Sequence, residues 1–406
     1  MKLLPKLSGI RFDRNEWAGA FGDIGTDLPL LILLIVACDL SAASVLTIFG
    51  LMQIVAALSY RIPMPVQPLK AVAALAIAAA GTGHKIPPAV IYGAGFGIGA
   101  VMLLLTLTGL IERLGRIIPK AVIRGIQLGL GIKLGLIALR KYVYIPDDGT
   151  WGILLAVTAF IVAALLFGNR KYPASLIIIG LGLIYAFSTR VGLGTFQSSF
   201  GFSLPSLHSV GFSDIYEGLL WAGFAQIPLS LGNSIYATRQ LAADYFPKSN
   251  VTERKIGLSY SLINLVCPFF SGVPVCHGSG GIAGHYAFGG RTGGSVIIYG
   301  CLFLMLGLFF SSGFGNVIHV FPFQVLGVIL LFEGFVLVRL LRDVMPVRHE
   351  FAVALLVGAV AQIPRYGFLF GLVGGIIVIK AIEMARSRSE NPQSAGKKRT
   401  AAVEKE

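Results

Sequence analysis

Two short stretches of the chain hold the residue types from which an anion site can be built. The first is Pro63-Met64-Pro65-Val66-Gln67-Pro68-Leu69-Lys70, which runs into an Ala-rich stretch at 71–80. The second is Val273-Pro274-Val275-Cys276-His277-Gly278-Ser279-Gly280-Gly281, which runs into residues 282–288. Each is an extended, Pro- or Gly-bearing piece that opens an apolar helix too short for the ~20 residues a bilayer crossing needs. A helix N-terminus presents unpaired N–H groups and about half a positive charge. Two such ends facing one cavity bind an anion without any cationic side chain. Pro68 is expected at the first turn of its helix, where a missing N–H costs least. Gly278 and Gly280 let backbone approach a ligand, Ser279 adds a hydroxyl, and Gln67 adds an amide that donates and accepts. His277 reads either as a pH-sensitive ligand group or as a satisfied interior histidine. The inventory suits a small tetrahedral oxyanion, which takes donors from several directions. Helix packing is the competing use of these Gly and Pro residues.

Two further apolar runs supply side chains. Phe21-Gly22-Asp23-Ile24-Gly25-Thr26-Asp27-Leu28-Pro29 places two acids and Thr26 inside one run, and the four-residue spacing puts Asp23 and Asp27 on one helix face. Acids at membrane depth are costly and call for partners, for which Lys70 and Arg124 are available. Proton or cation coupling and a fixed Asp–Lys brace are both open readings of Asp23, Asp27 and Lys70. Gln226-Ile227-Pro228-Leu229-Ser230-Leu231-Gly232-Asn233-Ser234 puts Gln226, Ser230 and Asn233 on one stripe, as a cavity lining or as helix-to-helix hydrogen bonds. No catalytic constellation, cofactor motif or metal set is found, and Cys276-His277 lacks further ligands at zinc spacing. The four cysteines are scattered through apolar sequence, which suits small buried hydrophobes better than disulfides.

These residues must be positioned by membrane helices. The chain has 406 residues, 55% hydrophobic and 13% charged, against roughly 25% charged in soluble domains. It reads as an all-α polytopic membrane protein with fourteen apolar segments between residues 17 and 384. The four that matter most are segment 1 (17–38), segment 3 (68–81), segment 8 (215–237) and segment 10 (279–290). Segments 3 and 10 are the short half-helices. With the N-terminus placed in the cytoplasm, 25 of the 33 Lys and Arg fall on the cytoplasmic side. Lys85, Arg140, Lys141, Arg190 and Arg365 fall outside, the bias expected of a correct topology. That distribution also accounts for the net charge of +14 without nucleic acid. No removable signal peptide is read at the start.

The halves resemble each other. Trp17-Ala18-Gly19 recurs as Trp221-Ala222-Gly223, Pro65-Val66-Gln67 as Pro274-Val275-Cys276, and Ile118-Pro119 with Gly125-Ile126 as Phe321-Pro322 with Gly327-Val328. Seven segments per copy make the second copy inverted, and interrupted segments at matching places mark the binding site of such a carrier. The expected organisation is a first repeat at 1–190, a connecting loop at 191–214, a second repeat at 215–385 and a disordered cytoplasmic tail at 386–406.

Gly22-Asp23-Ile24-Gly25-Thr26, Met64 to Ala71, Leu229 to Ser234, Cys276 to Gly281 and Phe288 to Gly294 together resemble the molybdate transporter family of plants and bacteria, a branch related to sulfate permeases. The resemblance covers residues 15–380. It implies a seven-plus-seven fold with core and gate domains and secondary active transport of molybdate, with sulfate the near-isosteric alternative and proton coupling an option. The implied setting is the lipid bilayer of a bacterial inner membrane, with both termini cytoplasmic; a homodimer stays open. The sulfate permeases commonly append a cytoplasmic regulatory domain, for which the ~20 residues after segment 14 are too few. A nucleobase permease of the same architecture would be expected to carry acids in segments 8 and 10, where this chain has Gln226, Asn233, His277 and Ser279. A passive anion channel is a further alternative.

Overall fold

The computed structural model of the chain describes residues 9–143, 149–166, 174–189, 200–311, 313, 322–363 and 366–390. Parts of the expected connecting loop and tail, 191–199 and 391–406, lie outside the described residues. The first half holds α1 (Arg14–Ala20), α2 (Ile24–Cys38), α3 (Ala42–Tyr60), strand β1 (Val66–Pro68), α4 (Lys70–Gly81), α5 (Pro88–Leu107), α6 (Leu110–Ile117), α7 (Lys120–Ile137), α8 (Gly149–Leu165) and α9 (Ala174–Thr189). The second half holds α10 (Phe212–Gly218), α11 (Phe224–Leu229), α12 (Thr238–Tyr245), α13 (Glu253–Val266), strand β2 (Val275–His277), α14 (Ser279–Ala287), α15 (Gly294–Phe309), α16 (Phe323–Arg339), α17 (Arg348–Val360) and α18 (Gly367–Glu390).

Every one of the fourteen apolar runs carries helix. Among the described residues, five helices are long and apolar enough to cross a membrane: Ala42–Tyr60, Pro88–Leu107, Lys120–Arg140, Phe323–Asp343 and Gly367–Arg386. The half-helices α4 and α14 have 12 and 9 residues. At 1.5 Å per residue they reach ~18 and ~14 Å, about half of a ~30 Å hydrocarbon core.

Four details differ from the sequence expectation. Segment 1 is not one helix: it breaks at residues 21–23, and Asp23 precedes α2 as its N-cap residue. Asp23 and Asp27 nevertheless stay side by side, with Asp27 N bonded to Asp23 O at 3.1 Å and the two carboxyl groups acting on each other. Segment 8 runs from 212 to 245 and contains two π-helical stretches, Leu219–Gly223 and Ser230–Ala237, on either side of Pro228. Proline has no N–H to donate and crowds the turn before it, and wider turns relieve both. The last helix continues to Glu390, into the stretch expected to begin the tail. Cys301 is exposed, while Cys38, Cys267 and Cys276 are buried and all four are free.

The two interrupted segments meet as an antiparallel two-stranded ladder, with Val66 opposite His277, Gln67 opposite Cys276 and Pro68 opposite Val275. Such backbone survives away from water only if its polar groups find partners inside the protein. Amide side chains provide them. Gln53 on α3 donates to Val66 O at 2.7 Å and accepts from Val66 N at 2.9 Å. Asn264 on α13 donates to Val275 O at 2.6 Å and accepts from Val275 N at 2.9 Å. Replacing either amide by leucine strands one buried N–H and one buried C=O, each worth ~1–3 kcal/mol. Gln53→Leu and Asn264→Leu are each expected to destabilise the protein by about 2 kcal/mol or more. Thermal unfolding in detergent checks this, and unchanged melting of both variants would contradict it.

The helices pack as two groups. In one, α3 lies along α15, α5 against α10 and α13, and α1 against α15; in the other, α7 packs on α16, α17 and α18, and α16 on α8. Between them, α4 touches α2, α7 and α11, and α11 also touches α7 and α18. The half-helix α4 thus lies where the two groups face each other.

Candidate functional site

The ladder delivers both half-helix N-termini to one place. Leu69 and Gly278, both in extended conformation, cap α4 and α14, and Leu69 N bonds Pro274 O at 3.0 Å. Pro68 is consequently a ladder residue and not part of the first turn of α4.

The two ends are not equivalent. At α4, Gln226 Oε1 accepts from Ala71 N at 2.9 Å, so a first-turn donor is already satisfied. Gln226 Nε2 donates to Ser230 Oγ at 2.9 Å, and Ser230 Oγ bonds the Tyr260 hydroxyl at 2.8 Å. Gln226 and Ser230 are fully buried. Of the two readings of that stripe, helix-to-helix hydrogen bonding is the one the contacts support for these two residues. Asn233 departs from the stripe, because the π-helical turn from Ser230 onward changes its direction. Its Oδ1 accepts from Ser279 Oγ at 3.1 Å. Asn233 and Ser279 are half-buried, Gly280 is exposed, and a Cβ built on Gly280 meets no heavy atom within 4 Å. Open space therefore lies against the first turn of α14.

Asp23 stands behind that turn. Gln67 Nε2 donates to both of its carboxylate oxygens at 2.8 Å. A Cβ on Gly281 would lie 2.6 Å from Asp23 Oδ2, and one on Gly278 would collide with Gln67 Oε1. The small residues at 278 and 281 thus admit the Gln67–Asp23 pair. Asp27 is fully buried; its Oδ2 accepts from the Tyr299 hydroxyl at 3.1 Å, while Oδ1 has no hydrogen-bond partner. Thr26 and Lys70 are half-buried in the first turns of α2 and α4, which pack together. Arg124 is not a partner of these acids: it pairs with Asp343 and donates to Gln127 Oε1 at 2.8 Å. His277 is fully buried, bonded to Ser259 Oγ at 2.8 Å and Pro65 O at 3.2 Å, with its ring edge-on to Tyr60. Both ring nitrogens thus have partners inside the protein.

Glu16 is a residue that sequence reasoning passes over. It is fully buried and accepts from Arg291 N at 3.0 Å, Thr292 N at 2.9 Å and Ser295 N at 3.0 Å. The Gly-rich stretch 288–294 is thereby a loop that grips α1 and starts α15. An acid just before Trp17, at the head of an apolar run, is the available signal. Tyr299 and Tyr260 give none, since single tyrosines in apolar helices are common core residues.

A family model described as "Molybdate transporter of MFS superfamily" matches residues 15–134 and again 218–337. The chain belongs to this family. Molybdate transporter 2 of Arabidopsis thaliana is 31% identical over 371 residues, 81% of this chain and 79% of that protein. Molybdate transporter 1 of Chlamydomonas reinhardtii is 28% identical, over 91% of this chain and 92% of that protein. These relatives are transporters, not enzymes. Among solved structures, the transmembrane domain of a cyanobacterium bicarbonate transporter, BicA, superposes with a TM-score of 0.65 at 16% identity, covering 91% of this chain and 98% of that one. The murine Solute Carrier 26 family member A9 anion transporter, in its inward-facing state, gives a TM-score of 0.66 at 12% identity, covering 93% and 69%. At such identities the likeness is one of fold. The family and these neighbours make the chain an integral membrane protein of the transporter fold to which BicA belongs.

Proposed function

We propose that this family member is a secondary active transporter of a tetrahedral oxyanion, with molybdate the first substrate and sulfate the alternative. The observation that carries this reading is the open first turn of α14, held by the β1–β2 ladder beside the end of α4. The first-turn N–H groups of Ser279, Gly280 and Gly281 are donors that a helix leaves unmade, and the helix dipole favours negative charge there. The Asn233 NH2 group adds a side-chain donor, oriented by the Ser279 hydroxyl that donates to its carbonyl oxygen, with Thr26 and Lys70 closing the cavity from α2 and α4. Gln226, Ser230, Gln67, Pro68 and Gly278 hold the two ends in position.

The same reading extends to architecture: a seven-plus-seven inverted repeat at 1–190 and 215–385, its two packing groups acting as core and gate. Three observations support it. The family match falls on two stretches of equal length. Gly131 and Gly334, at the same place within each stretch, touch each other's carbonyl oxygen where α7 crosses α16. Val66 and Val275, matched by the repeat, are each bracketed by an amide from a neighbouring helix in the same sense. The reading includes a plasma-membrane setting with both termini cytoplasmic, which the basic-residue bias supports. Proton coupling belongs to the reading as well. The unpartnered Oδ1 of Asp27 is a place where a proton can be added without breaking a bond.

The test uses purified protein in lipid vesicles. Labelled molybdate is expected to enter, to be displaced by sulfate, and to rise above the external concentration when the outside is more acidic than the lumen. Uptake no greater than in empty vesicles for both anions would overturn the reading. Uptake that stops at equal concentrations under every gradient would make the protein a channel.

A further inference from the structure

His277 ends a chain of hydrogen bonds that leads out of the membrane interior. Its Nδ1 lies 3.2 Å from Pro65 O. A carbonyl only accepts, so Nδ1 carries a hydrogen and Nε2 of the neutral ring is an acceptor. Nε2 is 2.8 Å from Ser259 Oγ, and that oxygen is 2.5 Å from the Tyr60 hydroxyl. The Tyr60 hydroxyl also reaches Lys255 O at 3.1 Å. The Lys255 ammonium stands 4.8 Å over the Tyr60 ring and donates to Ser59 O at 3.1 Å. Along this line the groups go from fully buried His277, through nearly buried Tyr60 and half-buried Ser259, to half-exposed Lys255.

Each hydroxyl in the chain has two acceptors within reach. Ser259 Oγ can donate to Nε2 or to Ile256 O at 3.1 Å. Tyr60 can donate to Ser259 Oγ or to Lys255 O. A proton can therefore be taken up at Nε2 with no hydrogen bond lost. Water at the Lys255 end gives a proton to the Tyr60 oxygen as Tyr60 passes its own to Ser259 and Ser259 passes its own to Nε2. One proton enters and one arrives. Afterwards Nε2–H donates to Ser259 Oγ, and both hydroxyls are left pointing outward. The charged groups around this path are Lys255 and the neighbouring Arg61 at its outer end. On the inner side, Cys276 of the same strand lies in the field of Lys70, Asp27 and Asp23.

We propose that His277 is a proton-binding site of this carrier, filled and emptied through Ser259 and Tyr60 from the face that bears Arg61 and Lys255. His277 stands two residues before Ser279, so an imidazolium there places positive charge behind the turn that faces the dianion. Proton binding at His277 and oxyanion binding at Ser279 then favour each other by the same factor. With one proton on Asp27 and one on His277, the charge of a dianion is fully offset. The proposal rests on the oxyanion reading above.

The test uses the full-length protein in detergent, with molybdate as probe and sulfate, which does not titrate in the range, as a second probe. Wild-type affinity by calorimetry is expected to rise at least about fivefold from pH 8 to pH 5. His277→Gln is expected to flatten that rise. Tyr60→Phe keeps the imidazole but cuts the path, so it should retain the equilibrium pH dependence. Its fluorescence relaxation after a pH jump should slow at least about tenfold. An unchanged pH dependence in His277→Gln would overturn the site, and a wild-type relaxation rate in Tyr60→Phe would overturn the route. Should His277→Gln fail to fold, Ser259→Ala decides in its place: it must slow the relaxation as Tyr60→Phe does, and a wild-type rate overturns the proposal. A wild-type protein that binds neither anion at any pH sinks the oxyanion reading itself, a result distinct from both.

Discussion

Gly280→Val is expected to weaken oxyanion binding at least about tenfold while leaving the protein as stable as the wild type or more so. Gly280 lies in the first turn of α14, it is exposed, and an added Cβ meets nothing within 4 Å. The side chain therefore costs no packing. It also removes part of the ~0.5–1 kcal/mol that a glycine forfeits in a helix. The same space is where an anion would take the N–H groups of Ser279, Gly280 and Gly281. Losing one hydrogen bond to a charged group is worth ~1.5–3 kcal/mol, and about 1.4 kcal/mol is already tenfold in affinity. Gly278→Val, two residues earlier, is expected to behave differently. Its Cβ would collide with Gln67 Oε1 and push Gln67 off Asp23, so stability and binding fall together. Calorimetric affinity and thermal melting on the same preparations separate the two outcomes. Wild-type affinity in Gly280→Val would remove the anion from this turn.

The contrast between Gly278 and Gly280 marks the limit of what is legible in the sequence. The interrupted segments, their shortness and their Pro and Gly content are written in the order of residues, because breaks in apolar helix need special backbone. The asymmetry between the two helix ends is not. Nothing in the spacing says that Gln226 spends its carbonyl on Ala71 N, or that Gly278 faces a glutamine while Gly280 faces open space. Those facts depend on how segment 8 turns, and its π-helical stretches shift Asn233 off the stripe that a regular helix would give it. The shortness of segment 3 is more readable, since apolar length shows it: the run expected at 68–81 is occupied by Lys70–Gly81. The Gln53 and Asn264 brackets leave no trace in the pattern, because a single amide in an apolar helix has no periodic signature.

Asp27→Asn is expected to cut sharply the accumulation driven by an acidic exterior and to leave molybdate exchange at equal pH within about tenfold of wild type. Asp27 is the acid with a free oxygen: Oδ2 holds the Tyr299 hydroxyl and Oδ1 holds nothing. An asparagine keeps the Tyr299 bond through its carbonyl oxygen and fills the other position with an NH2 group, much as a protonated acid would. It cannot give that proton up. A carrier fixed in this form can still shuttle an anion both ways, but an inward proton gradient has lost the proton that Asp27 carries and acts through His277 alone. Accumulation in the wild type should grow as the outside becomes more acidic than the inside and vanish when the two match. In Asp27→Asn it should rise much less steeply across the same range. Asp23→Asn makes the control, because both Asp23 oxygens already accept from Gln67 Nε2. Its new NH2 group faces an NH2 group, so a hydrogen bond is lost at ~1–3 kcal/mol and both transport modes fall together. Parallel uptake and exchange assays in vesicles, with the lumen held at one pH and the outside varied, decide between the two acids. If Asp27→Asn still accumulates molybdate with the wild-type pH dependence, Asp27 is a brace for Tyr299 and the driving proton is carried elsewhere.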